Sequence, residues 1–171
     1  MSPVTEKAVI NPPLSKEQFE KLTRNELTVL ALFTDCLYAK KNEDLIRKCV
    51  RKDYIQYRAG IEQGQEGLIR FCKEFLWSHP FRMEFSLANI FSNPEGNMVV
   101  FHRTSRMYDE DDNLAQVRII ADFFRLDEEG KLAEHWDVVQ RVFDLDYDAM
   151  DLTGKKEWIQ MQDQTDGRMT K

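Results

Sequence analysis

The sequence lacks the features that mark several large classes of protein. No stretch of the 171 residues approaches the roughly 18 consecutive apolar residues that span a bilayer, and no charged segment followed by an apolar run marks a secretory signal. No basic run stands out, and a net charge of −6 repels nucleic-acid phosphates and anionic lipids. We therefore expect no membrane partner, no nucleic-acid partner and a reduced, cytoplasmic location.

The sequence also has few cysteines and no recognisable cofactor-binding motif. The three cysteines, Cys36, Cys49 and Cys72, form no Cys-x-x-Cys pair and fall in apolar helical patterns, which predicts reduced core thiols. The three histidines have no metal-ligand spacing, and no Gly-x-Gly-x-x-Gly, Walker A or Gly-x-Ser-x-Gly motif is present. The sequence thus predicts no metal and no cofactor, so any chemistry would be acid–base chemistry.

The first half of the sequence has helical periodicity. Ser15 and Gln18 form a capping-box pattern, and apolar residues at helical spacing predict one long amphipathic helix to about Ala39. Asn42 is placed to cap a second, shorter helix. A third helix is predicted over residues 65–77.

The second half changes to the alternation of β-strands. After a short strand at 54–57, a period of two begins at Phe81, and turn-forming segments at 93–97, 109–113 and 127–130 separate four strands. Helices followed by a strand meander predict an α+β fold in which a curved antiparallel sheet wraps around the long N-terminal helix.

Neither an internal repeat nor a domain boundary is visible along the chain. Residues 1–14, which include three prolines, are predicted to form an N-terminal arm, and residues 15–143 a single domain. Residues 144–171 read as a polar C-terminal tail.

The last two predicted strands place Asp122, His135 and Asp137 among apolar neighbours. Side chains alternate across a strand, so His135 and Asp137 share one face, and Asp122 shares a face with Phe124 on the preceding strand. Across a hairpin, Asp122 and His135 would be near neighbours. An aspartate that fixes the tautomer of a histidine can form a proton-transfer pair, so these three residues are the catalytic candidates.

A structural explanation of the same pair stays open. Buried polar side chains are commonly hydrogen-bonded to one another, and an Asp–His pair could simply close one end of a barrel. The substrate-binding candidates carry similar alternatives, because phenols pack in cores, a strand histidine can be half-exposed, and arginines usually lie on surfaces. These candidates are Tyr54, Tyr57, Arg58, His102, Phe124 and Trp136.

Several segments together resemble the SnoaL-like polyketide cyclase branch of the nuclear transport factor 2 (NTF2)-like superfamily. The matching segments are Asp53–Tyr57, Gly64–Gly67, Asp122–Arg125, Gly130-Lys131 and Glu134–Asp137. The segment Glu-His-Trp-Asp after Gly-Lys is the most specific of them.

The resemblance covers roughly residues 20–142 and implies both a fold and a chemistry. It implies a cone-shaped α+β barrel around a deep apolar cavity, commonly in a homodimer. Members of this group include polyketide cyclases, and related proteins are dehydratases, ketosteroid isomerases and epoxide hydrolases. In the cyclases an aspartate and a histidine act on an acidic C–H of the substrate, and by position Asp122, His135 and Asp137 correspond to such residues here.

One departure separates this chain from many relatives. They carry His-Asn-Pro after the Tyr-Ile-Gln run, whereas this chain has Tyr57-Arg58-Ala59. We expect a cofactor-independent cyclase, isomerase, dehydratase or epoxide hydrolase that acts on a small apolar oxygenated metabolite, such as a polyketide or terpenoid intermediate. The alternative is a non-catalytic ligand-binding or dimerisation module with the same fold, because fold alone does not determine function.

Overall fold

The computed structural model describes residues 10, 13–38, 41–78 and 82–142. The helices in these ranges are α1 (Lys16–Glu20), α2 (Arg24–Ala31), α3 (Glu43–Cys49) and α4 (Gly64–Phe71). The strands are β1 (Val50–Gln56), β2 (Arg82–Ser92), β3 (Met98–Tyr108), β4 (Leu114–Leu126) and β5 (Leu132–Val142). None of these helices is long and apolar enough to cross a membrane. Most of the predicted arm and all of the predicted tail lie outside the described residues, so this domain division stays a prediction.

The single long N-terminal helix predicted from the sequence is interrupted. The capping box at Ser15 and Gln18 is present, but it begins a helix of only five residues, α1. A second capping box forms at Thr23, whose hydroxyl accepts the Glu26 N–H while the Glu26 carboxylate accepts the Thr23 N–H. Because these side chains satisfy the free N–H groups of a new helix start, α2 begins at Arg24 and continues as π-helical turns over Leu32–Tyr38.

The two later helices lie close to their predicted positions. Asn42 caps α3, with its side-chain oxygen accepting the Leu45 N–H at 3.0 Å. The predicted helix over 65–77 is α4 followed by π-helical turns over Cys72–Leu76. The first continuation buries Leu32, Phe33, Cys36 and Leu37, whereas in the second Cys72 is buried and Phe75 is exposed.

The five strands form one sheet in the order β1-β5-β4-β3-β2. β2 to β5 form the predicted antiparallel meander, whereas β1 lies parallel to β5 at the edge of the sheet. The α+β class and the curved sheet are thereby confirmed, although the sheet remains unclosed. The parallel β1–β5 pairing also aligns Gln56 with His135.

An aromatic cluster joins the helical layer to the inner face of the sheet. The ring of Phe33 stacks on Phe101 with the centroids 4.6 Å apart and meets Phe85 and Phe124 edge-on at about 6 Å. All four rings are buried. Burial of this apolar area is the main force that seats the helix on the sheet, and it fixes the side chains of β3 and β4 that flank the rings.

The cysteines are free thiols in the core, as predicted. Cys36 and Cys72 are buried and Cys49 is partly buried, with 3.9 Å between the Sγ atoms of Cys36 and Cys49. Burial raises the pKa of the Cys72 thiol to about 12. A thiol that stays protonated is a poor nucleophile, so Cys72 acts as a packing residue.

Candidate active site

Strand register brings the acidic and imidazole side chains of β4 and β5 to the inner face of the sheet. Asp122 lies opposite Asp137, and Phe124 lies opposite His135. His135 is therefore the diagonal neighbour of Asp122 rather than its direct partner. The imidazole reaches across this diagonal, and its Nε2 lies 3.1 Å from Oδ1 of Asp122.

The Asp122 carboxylate is buried between a guanidinium and an imidazole. Its side chain is 2% exposed, and Arg103 donates from Nε to Oδ2 at 2.9 Å while His135 approaches Oδ1. Arg103 itself is buried, with its guanidinium 4.6 Å above the ring of Phe33. Both oxygens of Asp122 thus have a nitrogen partner, which is the arrangement a buried ionised carboxylate requires.

The partners of Asp122 determine its charge state. Burial alone would raise the pKa of the Asp122 carboxyl, but the charge of Arg103 and the hydrogen bond from His135 outweigh it, and the pKa is lowered below its ordinary value. The same burial opposes the charged form of Arg103, yet Asp122 holds the pKa of the guanidinium above its ordinary value. Asp122 and Arg103 are therefore an ion pair at neutral pH.

The lowered pKa of Asp122 predicts a pH dependence of stability. A carboxyl whose folded pKa lies below its unfolded value contributes stability that is fully present above the unfolded pKa, about 3.9, and is lost as the pH falls through the folded pKa. We expect the free energy of unfolding, measured by urea denaturation from neutral pH down to about pH 3, to fall more steeply in the wild type than in Asp122→Asn. Asp111→Asn, at an exposed aspartate in the turn between β3 and β4, is the control. Equal slopes for the wild type and Asp122→Asn would contradict the assignment.

Gln56 determines which nitrogen of His135 carries a proton. The Gln56 Oε1 lies 2.9 Å from His135 Nδ1 and also accepts the backbone N–H of Arg58, so it acts as an acceptor and Nδ1 carries a proton. The Gln56 backbone is held in turn by two hydrogen bonds with the side-chain amide of Gln63. The Phe124 ring stacks on the imidazole at 4.4 Å. His135 is thus fixed on both edges and one face, with Nε2 directed at the carboxylate.

A small cavity lies against this cluster. Its volume is about 50 Å³, enough for a few water molecules, and the Asp122, His135, Arg103 and Gln56 side chains form its polar wall. Most of the remaining lining, apart from Arg58, is aromatic or aliphatic, and much of it comes from the helical segments: Leu32, Phe33, Leu37, Tyr38, Leu68, Phe71 and Leu76. A carboxylate and an imidazole in such surroundings form an acid–base pair in an environment of low dielectric constant.

Comparison with solved structures places this architecture among known folds. A Shewanella putrefaciens protein named as a SnoaL-like polyketide cyclase is 14% identical, with a TM-score of 0.56 over 71% of this chain and 82% of that one. An epoxide hydrolase of M. tuberculosis is 14% identical, with a TM-score of 0.53 over 68% and 82%. An Agrobacterium tumefaciens protein named as an isomerase of the SnoaL-like family is 16% identical, with a TM-score of 0.52 over 69% and 99%.

The chain has the SnoaL-like fold. This is the fold that the resemblance implied, and solved structures with it include proteins named as cyclases, isomerases and epoxide hydrolases. No protein-family model matches the sequence, and comparison with curated proteins finds no match.

Three of the substrate-binding candidates line the cavity of the SnoaL-like fold. Tyr54, Arg58 and Phe124 all contribute to its wall. Burial, together with the nearby charge of Asp122, raises the pKa of the Tyr54 phenol above its ordinary value. The phenol therefore stays protonated and can only be a hydrogen-bond donor or a neutral acceptor.

Asp137 lies behind this lining rather than in it. Its Oδ2 is 3.3 Å from Nη1 of Arg58, an ion pair whose geometry does not make a hydrogen bond, so the oxygen is buried without a hydrogen-bond partner among residues 10, 13–38, 41–78 and 82–142. Arg58 is partly exposed and lies between Asp137 and the cavity. Asp137 therefore reaches the site through the orientation of Arg58.

The other three candidates do not line the cavity, because strand alternation and the end of β1 place them elsewhere. Trp136 lies on the outer face of β5, and Tyr57, just beyond β1, stacks on it with the centroids 4.7 Å apart. His102 lies on the outer face of β3 with Nδ1 3.3 Å from the side-chain nitrogen of Asn89. None of the three is among the residues that line the cavity, and their assignment as substrate contacts stays a prediction.

Two residues of the site were missed from the sequence, Arg103 and Gln56. Arg103 shares the inner face of β3 with Phe101, and its position next to His102 shows that the choice between them depended on strand phase. The apolar residues Val99 and Phe101, four and two positions before Arg103, indicate which face of β3 points inward. Gln56 had no such signal, because its role depends on the pairing of β1 with a strand 79 residues away.

Proposed function

We propose that this protein is an acid–base enzyme that moves a proton on a small, largely apolar oxygenated molecule bound against Asp122 and His135. The observation that supports it most strongly is the buried Asp122 carboxylate, which faces a cavity and has the imidazole of His135 3.1 Å away. A pair formed only for stability could be sealed in packed core, whereas this pair lies on a cavity wall.

The contacts suggest a role for each residue. The Asp122 carboxylate accepts a proton from the substrate or from a water molecule that attacks it, and His135, which donates to Oδ1 through Nε2, is its partner or the acid. Arg103 holds Asp122 in its charged form and orientation, and Gln56 holds His135. Tyr54, whose phenol remains protonated, can donate to a substrate oxygen on which negative charge develops.

Cyclisation, isomerisation, dehydration and epoxide opening all require such a proton transfer, and several proteins with this fold carry the names of such enzymes. A polyketide or terpenoid intermediate of secondary metabolism has the apolar, oxygenated character that the lining favours. The alternative is a module that binds such molecules without converting them.

A set of related probes separates the two functions. Cyclohexene oxide tests epoxide opening, β-hydroxycyclohexanone tests dehydration, and a β,γ-unsaturated cyclohexenone tests isomerisation, all followed by proton NMR. We expect the wild type to convert at least one probe faster than Asp122→Asn does at equal protein concentration. Probes that bind, as judged by line broadening, but are converted no faster by the wild type than by the variant would favour the binding module.

A homodimer remains a prediction supported by the outer face of the sheet. Register aligns Phe91, Val100, Phe123 and Trp136 in a row across four strands, and Val138 beside them is 66% exposed. An apolar row of this kind on an exposed sheet face is typical of an interface between subunits. The reduced intracellular location predicted from the cysteines likewise remains a prediction.

A further inference from the structure

A second cavity continues from the first toward the other end of the sheet. Its volume is about 120 Å³, and Tyr38, Arg58, Phe71, Leu76 and Arg103 line both spaces. We call this second space the outer compartment. Met83, Met107 and Ile120 provide its apolar wall, and Ser105, Gln116 and Arg118 provide new polar atoms.

The outer compartment carries an excess of positive charge. Three guanidinium groups, those of Arg58, Arg103 and Arg118, line it, and no Asp or Glu does so in the part of the chain that the structure describes. Asp137 faces Arg58 and Asp122 faces Arg103, which leaves one cation uncompensated. That cation is Arg118, whose Nη2 donates to the neutral amide of Gln116 and has no carboxylate partner among the described residues.

Two hydrogen-bond donors without an acceptor among the described residues belong to arginines that line the outer compartment. Nη1 of Arg103 and Nε of Arg118 are both buried and have no hydrogen-bond partner among the described residues. A buried N–H of a charged group without an acceptor costs free energy, which a bound acceptor would recover. Burial, followed by the nearby charges of Arg58 and Arg141, lowers the pKa of Arg118. A negative charge at this point would relieve that repulsion.

The two arginines are close enough to act on one group. Arg118 on β4 lies opposite Ser105, two residues along β3 from Arg103 and on the same inner face. Diagonal neighbours of this kind are roughly 7–8 Å apart, a separation that long guanidinium side chains span easily.

We propose that the outer compartment binds a carboxylate of the substrate, held by Arg118 and Nη1 of Arg103, so that the apolar body extends along the cavity toward Asp122 and His135. One uncompensated cation matches one negative charge, and a guanidinium fits a planar carboxylate through paired N–H donors. This inference rests on the proposed function, since it names the substrate class of the same site.

Straight-chain carboxylates and their matched amides test the inference. Hexanoate and octanoate are compared with hexanamide and octanamide by titration of the full chain, followed by protein-detected NMR. The wild type should bind each carboxylate at least about tenfold more tightly than its amide, because the amide cannot neutralise Arg118. Octanoate should bind more tightly than hexanoate, because the compartment continues into the apolar cavity.

Variants of one arginine give the control. Arg118→Gln should reduce the preference for carboxylate to about threefold or less while amide affinity stays unchanged, which shows that the cavity is intact. Arg118→Lys, which keeps the charge but loses the paired donors, should give a preference between those of the wild type and Arg118→Gln. Arg106→Gln removes one positive charge from the outer face of β3 and should leave the preference as in the wild type. Equal binding of carboxylate and amide, a preference that survives Arg118→Gln, or no binding below about 10 mM would overturn the inference.

The result of the carboxylate-binding test can be distinguished from the result of the turnover test of the proposed function. Asp122→Asn should still prefer carboxylates, because the preference depends on Arg118 and not on proton transfer. Carboxylate preference without turnover of any probe would reject only the enzymatic function. Turnover that depends on Asp122, without carboxylate preference, would reject only the outer compartment as an anion site.

Discussion

Replacing Asp122 by asparagine should lower kcat by roughly 10²–10⁴-fold for any probe that the wild type converts, with little change in probe binding. The amide has nearly the same shape as the carboxylate but cannot take up a proton at neutral pH. Because probes contact mainly the apolar wall of the cavity, their affinity should change much less than the rate. The comparison of kcat and KM therefore distinguishes a lost base from a lost binding surface.

The groups around Asp122 can form hydrogen bonds with an asparagine side chain in the same position. The side-chain carbonyl that Asp122→Asn introduces could still accept from Nε of Arg103, while the new NH₂ group would face Nε2 of His135. In the wild type Nε2 donates to the carboxylate, whereas in the variant a neutral imidazole that keeps its proton on Nδ1, bonded to Gln56, can accept the new NH₂ group at Nε2. The amide thus replaces both contacts of the carboxylate without a clash between donors.

The control for this experiment is the same substitution at an exposed aspartate. Asp53→Asn removes the partner of Arg51 on the outer part of β1, and it should change kcat by less than about twofold. A kcat of Asp122→Asn within a few fold of the wild type would leave the Asp122–His135 pair as a structural hydrogen bond. The sequence left that alternative open, and this measurement decides it.

Local sequence patterns were sufficient to predict the inner face of the last hairpin. Alternation on β4 and β5 put Asp122 and His135 on one face, and the structure brings them to 3.1 Å. The register differs by one diagonal step, because five residues, 127–131, connect the two strands and the pairing shifts between Arg125 and Leu126, which aligns Asp122 with Asp137. The imidazole is long enough to reach Asp122 across one diagonal step. The Asp122–His135 contact was therefore predictable, although the residue directly opposite Asp122 was not.

Other parts of the site depend on contacts that local patterns do not encode. The parallel pairing of β1 with β5 joins segments about 80 residues apart, and without it Gln56 has no visible relation to His135. The sequence left His102 as either a pocket residue or a half-exposed strand histidine and did not single out Arg103 beside it. Burial of Phe101 and Arg103 on one face shows that strand phase was the better guide. The first helix is interrupted because Thr23 caps a new helix start. This capping pattern is local, but the helical spacing of apolar residues continues through it, so the interruption was not predicted.

Replacing Arg103 by methionine should lower the free energy of unfolding at neutral pH by about 3–5 kcal/mol. Methionine keeps much of the apolar contact with Phe33 and Phe85 but removes the charge, so Asp122 is left with His135 as its partner. An ionised carboxylate that is 2% exposed and lacks its guanidinium is the costly state, and its pKa should rise in this variant. The measurement is urea denaturation followed by tryptophan fluorescence.

Two comparisons identify the lost ion pair as the cause of that destabilisation. In the Asp122→Asn background the same Arg103→Met change should cost about 1–2 kcal/mol less, because no charge is left unpaired. The cost in the wild-type background should also shrink as the pH falls, since protonation neutralises Asp122. Arg106→Met, on the outer face of the same strand, should cost less than about 1 kcal/mol. If Arg103→Met costs the same with Asp122 as with asparagine, the arginine stabilises the fold by packing on the aromatic rings, and its charge does not hold the carboxylate.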